Sequence, residues 1–152
     1  MSFSVRQMGS TDREAWANMR AALWPDASAD EHHKDIDAML AGTTTGWGFI
    51  AEMRNVAAIG FAEITIRPFA NGCDSRPVPF LEGIWVEPPL RRRGIGALLV
   101  KHVEAFVAAR GFREIGSDVL IDNEVSHAAH RRWGFSETER VVYFRRLLGA
   151  QS

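Results

Sequence analysis

The residues whose types and spacing best suit chemistry lie between Phe80 and Ala97. An apolar run, Phe80-Leu81 and Ile84-Trp85-Val86, is broken by Glu82-Gly83 and followed by Pro88-Pro89 and then Arg91-Arg92-Arg93-Gly94-Ile95-Gly96-Ala97. Strand, basic glycine-containing turn and helix together build an anion site. The first N–H groups of a helix have no intrahelical partner, and the helix dipole is positive at that end. The spacing Arg91-x-x-Gly94-x-Gly96 is not the Walker loop, which needs four residues between its glycines and then Lys-Ser/Thr. It is not the dinucleotide fingerprint either.

A second set of residues is acidic. Glu82, Asp118, Glu137 and Glu139 fall at strand positions or strand ends. Glu82 stands among apolar neighbours, so it must be paired or line a cleft, because burying a carboxylate alone is costly. On the residues alone, Glu82 fits a structural pair with an arginine as well as a binding role. Asp118 also fits a turn cap, and Glu139 a solvated strand face. With the arginine run, these carboxylates allow one cleft to offer a positive wall to one ligand and a negative wall to another. Cys73 has no histidine at catalytic spacing and reads as a loop packing residue. The five histidines form no metal-binding pattern with Cys or paired carboxylates, so no metal is expected; His127 and His130 merely share a helix face.

Bulk properties set the frame. The 152 residues suit one domain over 1–152, with 46% apolar and 24% charged residues. A net charge of −1 gives no reason to expect nucleic acid as a partner. No apolar run approaches the roughly 20 residues of a membrane span, and the first residues carry no signal-peptide core. A single cysteine permits a reducing compartment, and a cytoplasmic location is expected.

The elements that must position these residues follow in order. Phe3 to Met8 reads as a strand. Thr11-x-x-Glu14 reads as a capping box for a helix carrying Trp16, Met19, Arg20 and Leu23, ended by Trp24-Pro25. Ser28-x-x-Glu31 starts a second helix carrying His32, Ile36, Met39 and Leu40, stopped by Gly42. Trp47 to Met53 and Val56 to Arg67 read as a hairpin, and Pro68 to Pro79 as a loop. The Phe80 strand and the helix from Gly94 to about Arg110 come next. Phe112 to Val119 is predicted as a strand, Asn123 to about Trp133 as a helix, and Phe135 to Leu147 as a long final strand. Antiparallel hairpins followed by β-α-β units mean an α/β (α+β) domain, with a mixed central sheet and helices on both faces.

The Arg91-x-x-Gly94-x-Gly96 loop and this element order resemble the GNAT N-acetyltransferases. Several stretches narrow the resemblance to the aminoglycoside 6′-N-acetyltransferases. They are Leu23-Trp24-Pro25, Asn71-Gly72-Cys73-Asp74-Ser75, Phe80-Leu81-Glu82-Gly83-Ile84, Ser117-Asp118 and Gly134-Phe135 with Glu137 to Val141. The resemblance implies a GNAT acyltransferase fold and direct acetyl transfer from acetyl-CoA to a primary amine. Acetyl-CoA would lie along Ile84, Trp85 and Val86. Its pyrophosphate would rest on Arg91, Arg92, Arg93, Gly94, Ile95, Gly96 and Ala97, with Asn123 part of the same cofactor site.

An aminoglycoside is a polyamine with flat sugar rings. Glu82, Asp118 and Glu139 resemble the family's substrate carboxylates, and Trp24 and Phe69 its aromatic walls, although relatives carry tyrosine where Phe69 stands. Glu82 and Asp118 are the carboxylates placed near the proton that the amine must lose. His130 stands where the GNAT pattern carries the tyrosine that protonates the leaving thiolate. Relatives are commonly homodimers. Transfer to another amine, such as a polyamine, a small metabolite or a protein N-terminus or lysine, and acyl-CoA sensing without turnover both remain compatible with the loop.

Overall fold

The computed structural model describes residues 2–54 and 57–149. Strands β1 (Phe3–Gln7), β2 (Gly46–Met53), β3 (Ala57–Arg67), β4 (Val78–Val86) and β5 (Gly116–Ser117) form one sheet in that spatial order. The first four are antiparallel to their neighbours, and β4 and β5 run parallel. Helices α1 (Arg13–Leu23) and α2 (Ala29–Ala41) precede the hairpin; α3 (Ile95–Ala109) and α4 (Glu124–Arg132) flank β5 in the chain.

Strand alternation sends side chains to two cores. Phe49, Ala62, Ile64 and Leu81 pack against Ile95, Leu99, Val103 and Val107 of α3. Ile50 and Phe61 pack against Trp16, Met19, Ile36 and Met39 of α1 and α2. Each Val, Leu, Ile, Phe or Met side chain among them, fully buried, contributes about 1.5–3 kcal/mol. The sheet therefore carries helices on both faces, as the pattern predicts.

Several local expectations differ from the structure. The Thr11-x-x-Glu14 capping box does not form. A 3-10 turn, Ser10–Asp12, comes first, and Asp12 accepts the Gly9 N–H at 2.8 Å. Asp12 also binds Arg6 of β1 at 2.7 and 2.9 Å, and that guanidinium holds its carboxyl below the usual carboxylate range. A capping box satisfies orphan N–H groups, and here an aspartate tied to β1 already does so. The Ser28 box does form, Ser28 Oγ accepting from the Glu31 N–H at 3.1 Å. Its helix buries His32, Ile36 and Met39 but leaves Leu40 exposed.

The loop after β3 is shorter than expected, because Val78 and Pro79 already pair with Arg67 and Ile66. Val56 and Asn55 of the expected hairpin lie outside the described residues.

The larger differences come at the end of the chain. The strand expected over Phe112–Val119 is only Gly116–Ser117, and Phe135–Leu147 forms no strand at all. A β pattern of Val, Tyr and Phe becomes a strand only when another strand supplies hydrogen bonds. Here the sheet ends at β5, and no strand among the described residues pairs with this segment. Its Tyr143 and Phe144 are 80% and 92% exposed.

Candidate active site

The site begins at a bulge in β4. Glu63 of β3 pairs with Gly83, whereas the next β3 residue, Ile64, pairs with Leu81. Glu82 is thus an extra residue, and a bulge re-aims the side chains around it. Its carboxylate reaches the same face as Thr65 and Arg67. It accepts from the Thr65 hydroxyl at 2.6 Å and from Arg67 at 2.7 and 2.8 Å. Gly83 beside it makes room for Trp24. A Cβ there would stand 2.5 Å from the indole Cζ2, so any larger residue would push the ring away. The Trp24 ring meets Phe61 edge-on at 6.3 Å and has the Arg20 guanidinium over it at 4.9 Å.

These side chains line a cleft of about 290 Å³, bounded by Arg20, Trp24, Asp35, Glu63, Thr65 and Glu82. Its floor is a buried ionic network. Glu63, 4% exposed, accepts from Arg20 at 2.7 and 2.8 Å and from the Trp16 indole at 2.9 Å. Burial pushes the Glu63 carboxyl up, while Arg20 and Trp16 pull it back. Arg20 also donates to Asp35 at 2.7 Å and, through Nε, to His32 Nδ1 at 3.1 Å. His32 Nε2 lies 3.1 Å from the Trp24 carbonyl, which can only accept, so Nε2 carries the hydrogen. The network fixes the helix end that carries Trp24. The cleft is therefore an aromatic wall with three carboxylates around it.

The arginine-rich loop of Arg91–Ala97 lies beyond the far end of β4. Arg91 Nε donates to the Val86 carbonyl at 2.7 Å, tying loop to strand. Gly94, at φ 85°, precedes α3 with no side-chain cap, so the amides of Ile95, Gly96 and Ala97 begin the helix without an internal acceptor. Arg91, Arg92 and Arg93 are all exposed around them. Between loop and cleft, β4 pairs with β5 only at Phe80/Gly116 and Leu81/Ser117. From Glu82 to Val86, β4 has no β5 partner, and the two strands part at Ser117.

At that fork Ser117 Oγ lies 2.8 Å from His130 Nε2 of α4. His130 Nδ1 lies 2.8 Å from the Ser126 carbonyl. The ring sits between Trp133 and Phe135, each with its centroid 5.2 Å away.

A conserved-domain model described as "Acetyltransferase (GNAT) family" matches residues 13–135, most of the chain. The chain belongs to the GNAT acetyltransferase family. This GNAT chain is 42% identical over 143 residues to an aminoglycoside N(6′)-acetyltransferase type 1 of Salmonella enteritidis, covering 93% of this chain and 97% of that one. Its fold is similar to the structure of AAC(6′)-Iy in complex with the bisubstrate analogue CoA-S-monomethyl-acetylneamine. The TM-score is 0.90 at 40% identity, over 97% of this chain and 99% of that one. It is also similar to the aminoglycoside antibiotic 6′-N-acetyltransferase AAC(6′)-Ih from Acinetobacter baumannii, with a TM-score of 0.87 at 36% identity, over 97% and 100%.

Within this GNAT domain the expected residues fall into three groups. Trp24 and Glu82 share the cleft. Asp118 follows Ser117 at the fork and raises the proton affinity of Arg67, whose largest partner is Glu82; both carboxylates thus act on one guanidinium. Phe69 is 57% exposed on the loop beside β4, with Arg76 over its ring at 5.6 Å. Glu139 is exposed on the C-terminal segment, where Thr138 and Glu139 pack against Gly72 of that loop. Glu114 holds the loop by accepting from the Ser75 and Asp74 N–H groups at 2.7 and 3.0 Å. Glu137 instead pairs with Arg140 at 2.6 Å.

Asn123 caps α4, its Oδ1 accepting from the Ser126 N–H at 3.1 Å. Cys73 packs beside Ala70, Val78 and Phe80, and burial pushes its thiol up, away from the thiolate a nucleophile needs. Among the described residues no three His, Cys, Asp or Glu side chains are placed to hold a metal ion, and no helix is long and apolar enough to cross a membrane.

The sequence reading missed Glu63, Asp35 and Ser117 as site residues. Two signals were available. Glu63 is a charge inside the apolar run Ile59 to Ile64, and Arg20 falls on the inward stripe of α1. A charge on each of two buried faces is satisfied most simply when they pair.

Proposed function

We propose that this chain transfers the acetyl group of acetyl-CoA to the 6′-amino group of aminoglycosides, by direct attack of the amine. The observation that carries the proposal is the cleft at the β4 bulge. Trp24, Glu82, Glu63 and Asp35 surround one space, and β4 runs from it to an uncapped, arginine-rich helix start. A polycationic amino sugar needs carboxylates and a flat wall, and a ring beside a cation adds about 0.5–2 kcal/mol. A diphosphate thioester needs amides and arginines. Family membership and relatives at about 40% identity support this pairing.

In this reading Arg91 to Ala97 bind the pyrophosphate. Ile84, Trp85 and Val86 line the pantetheine with backbone groups on the side where β5 has parted. Asn123 sets the start of α4 on the other side of that gap. Trp24 and Phe69 face the sugar rings, and Glu82, Asp118 and Glu139 meet the ammonium groups. In the free protein Arg67 and Thr65 engage both Glu82 oxygens, so an incoming ammonium joins or displaces Arg67 there. The amine reaches its neutral, nucleophilic form by passing a proton to Glu82 or Asp118, directly or through water.

The chain also works as a homodimer in this proposal. Residues 135–148 join no strand ladder and expose Val142, Tyr143, Phe144, Leu147 and Leu148, and among the described residues the outer edge of β5 is open. A second copy supplies the missing strand partner. The cytoplasm, where acetyl-CoA is made available, is the proposed location.

The test is acetyl-CoA thiol release over aminoglycosides that differ in bearing a 6′ amine or a 6′ hydroxyl. Release with the amines alone is expected. Glu82→Gln and Asp118→Asn should each lower acceptor kcat/KM about tenfold or more, a loss of about 1.4 kcal/mol or more, while acetyl-CoA still binds. Variants that turn over kanamycin or tobramycin as well as the parent would overturn the acceptor assignment.

A further inference from the structure

Arg67 holds a cation at the place where the proposed reaction brings another. Its guanidinium grips Glu82 with two nitrogens, Nη2 on Oε1 at 2.7 Å and Nε on Oε2 at 2.8 Å. Thr65 adds a third donor, on Oε2 at 2.6 Å. The guanidinium carbon lies 3.6 Å from the centroid of the Phe80 ring, so the charge rests on an aromatic face as well as on a carboxylate. Phe80 pairs with Thr65 across the sheet, and the bulge brings Glu82 round to the same side.

An ionised carboxylate has about four lone-pair positions. Thr65 and Arg67 fill three, and the open one is on Oε1, the oxygen with a single donor. An amine that bonds there need not expel Arg67. Two nitrogens at hydrogen-bond length from one oxygen stand about 4–5 Å apart, so guanidinium and bound amine are immediate neighbours. The surrounding elements supply the other charges. On the cleft floor Glu63 of β3 and Asp35 of α2 are both bound to Arg20 of α1. His32 of α2 is neutral, since its Nδ1 accepts from Arg20. Asp118, just after β5, and Tyr143 of the C-terminal segment face Arg67. At the rim, then, two carboxylates, Glu82 and Asp118, meet one cation. Two bare carboxylates would favour the ammonium form of an acceptor, which binds well and cannot attack. A like charge beside the nitrogen has the opposite effect.

We propose that Arg67 is a positioning residue of the acceptor site, a resident counter-charge that lets Glu82 receive the amine while disfavouring its protonated, unreactive form. The inference rests on the acyl-transfer reading above, in which the attacking amine meets Glu82. The ammonium enters beside Arg67, gives up one proton as described there, and keeps the lone pair that attacks the thioester. The charge that favours proton loss also weakens the hold on a polycation, so Arg67 lowers acceptor affinity and raises the rate of transfer.

Single-turnover acetyl transfer to saturating tobramycin, followed across pH on the full chain with acetyl-CoA bound, tests this role. Calorimetric binding of tobramycin is the second readout. A charge within about 4–6 Å moves a pKa by about 1–3. In Arg67→Gln the ascending limb of the transfer rate should therefore move to higher pH by about one pH unit or more. At neutral pH its transfer should be about tenfold slower, while tobramycin binds about threefold more tightly. Above both limbs the two rates should converge. Arg67→Met, which keeps an aliphatic stem over Phe80, should repeat Arg67→Gln. Arg67→Lys, which keeps the charge, should hold limb and affinity close to the parent's.

A purely structural Arg67 would weaken binding and leave the limb in place. An Arg67→Gln or Arg67→Met profile that ascends at the parent's pH therefore overturns the proposal, as does weaker tobramycin binding by either variant. A parent that transfers acetyl to no amine is a different result: it removes the acyl-transfer reading and the inference with it.

Discussion

Arg20 is the residue on which the Trp24 cleft is built. Its guanidinium binds buried Glu63, reaches Asp35 and His32, and lies over Trp24. Removing one partner of a buried pair leaves the other charge uncompensated, at a cost of about 3–5 kcal/mol. Arg20→Leu should therefore lower the urea unfolding free energy by that amount. Adding Glu63→Leu should recover most of it, because two apolar groups of similar volume leave no orphaned charge. If the double variant is as unstable as the single one, the network stabilises through packing rather than charge. Arg20 was legible as an inward-facing residue of α1 and Glu63 as a charge inside an apolar run, but the geometry that joins them was not. Helical spacing gives a face, and only the sheet brings Glu63 to that face.

At the scale of the element, the β4 bulge decides what the cleft can hold. Glu82 and Gly83 project to one face of the sheet instead of alternating, so a carboxylate stands beside a gap filled by an indole. Gly83→Ala places a methyl carbon 2.5 Å from Trp24 Cζ2, and the ring must move. The acceptor KM should rise about tenfold, the equivalent of about 1.4 kcal/mol, with the acetyl-CoA KM unchanged. Steady-state kinetics with each substrate varied in turn checks this. Equal rises in both constants would mean that the bulge supports the whole strand rather than the Trp24 wall. The pair Glu82-Gly83 was visible as an interruption of an apolar run. The bulge itself was not, because a one-residue register shift depends on the partner strand.

For the whole molecule, residues 135–148 hold a cluster of exposed apolar side chains. The C-terminal segment exposes Val142, Phe144 and Leu148 at 78%, 92% and 83%, and apolar side chains left bare invite pairing with another chain. It also borders the site, since Tyr143 acts on Arg67 and Glu139 packs near Gly72. Light scattering after size exclusion should give twice the 17.0 kDa chain mass. Val142→Glu with Phe144→Glu should shift the protein towards monomer and weaken aminoglycoside turnover. A parent that runs as a monomer would remove the second copy from the proposal.

The sequence by itself determined the helices, the hairpin strands, the two-faced sheet and the glycine turn that opens α3. Each of these follows from local periodicity, from Gly94 and the arginines beside it, or from the Ser28 and Asn123 caps, whose partners lie within three residues. Tertiary structure alone decided which charges meet. Glu63 lies 43 positions from Arg20, Glu82 lies 15 from Arg67, and Ser117 lies 13 from His130. It also decided that Phe135–Leu147, a strand by composition, stays unpaired in one chain. Periodicity describes what a segment can do alone, whereas a hydrogen-bond ladder or an ion pair exists only once a distant partner has been folded into reach.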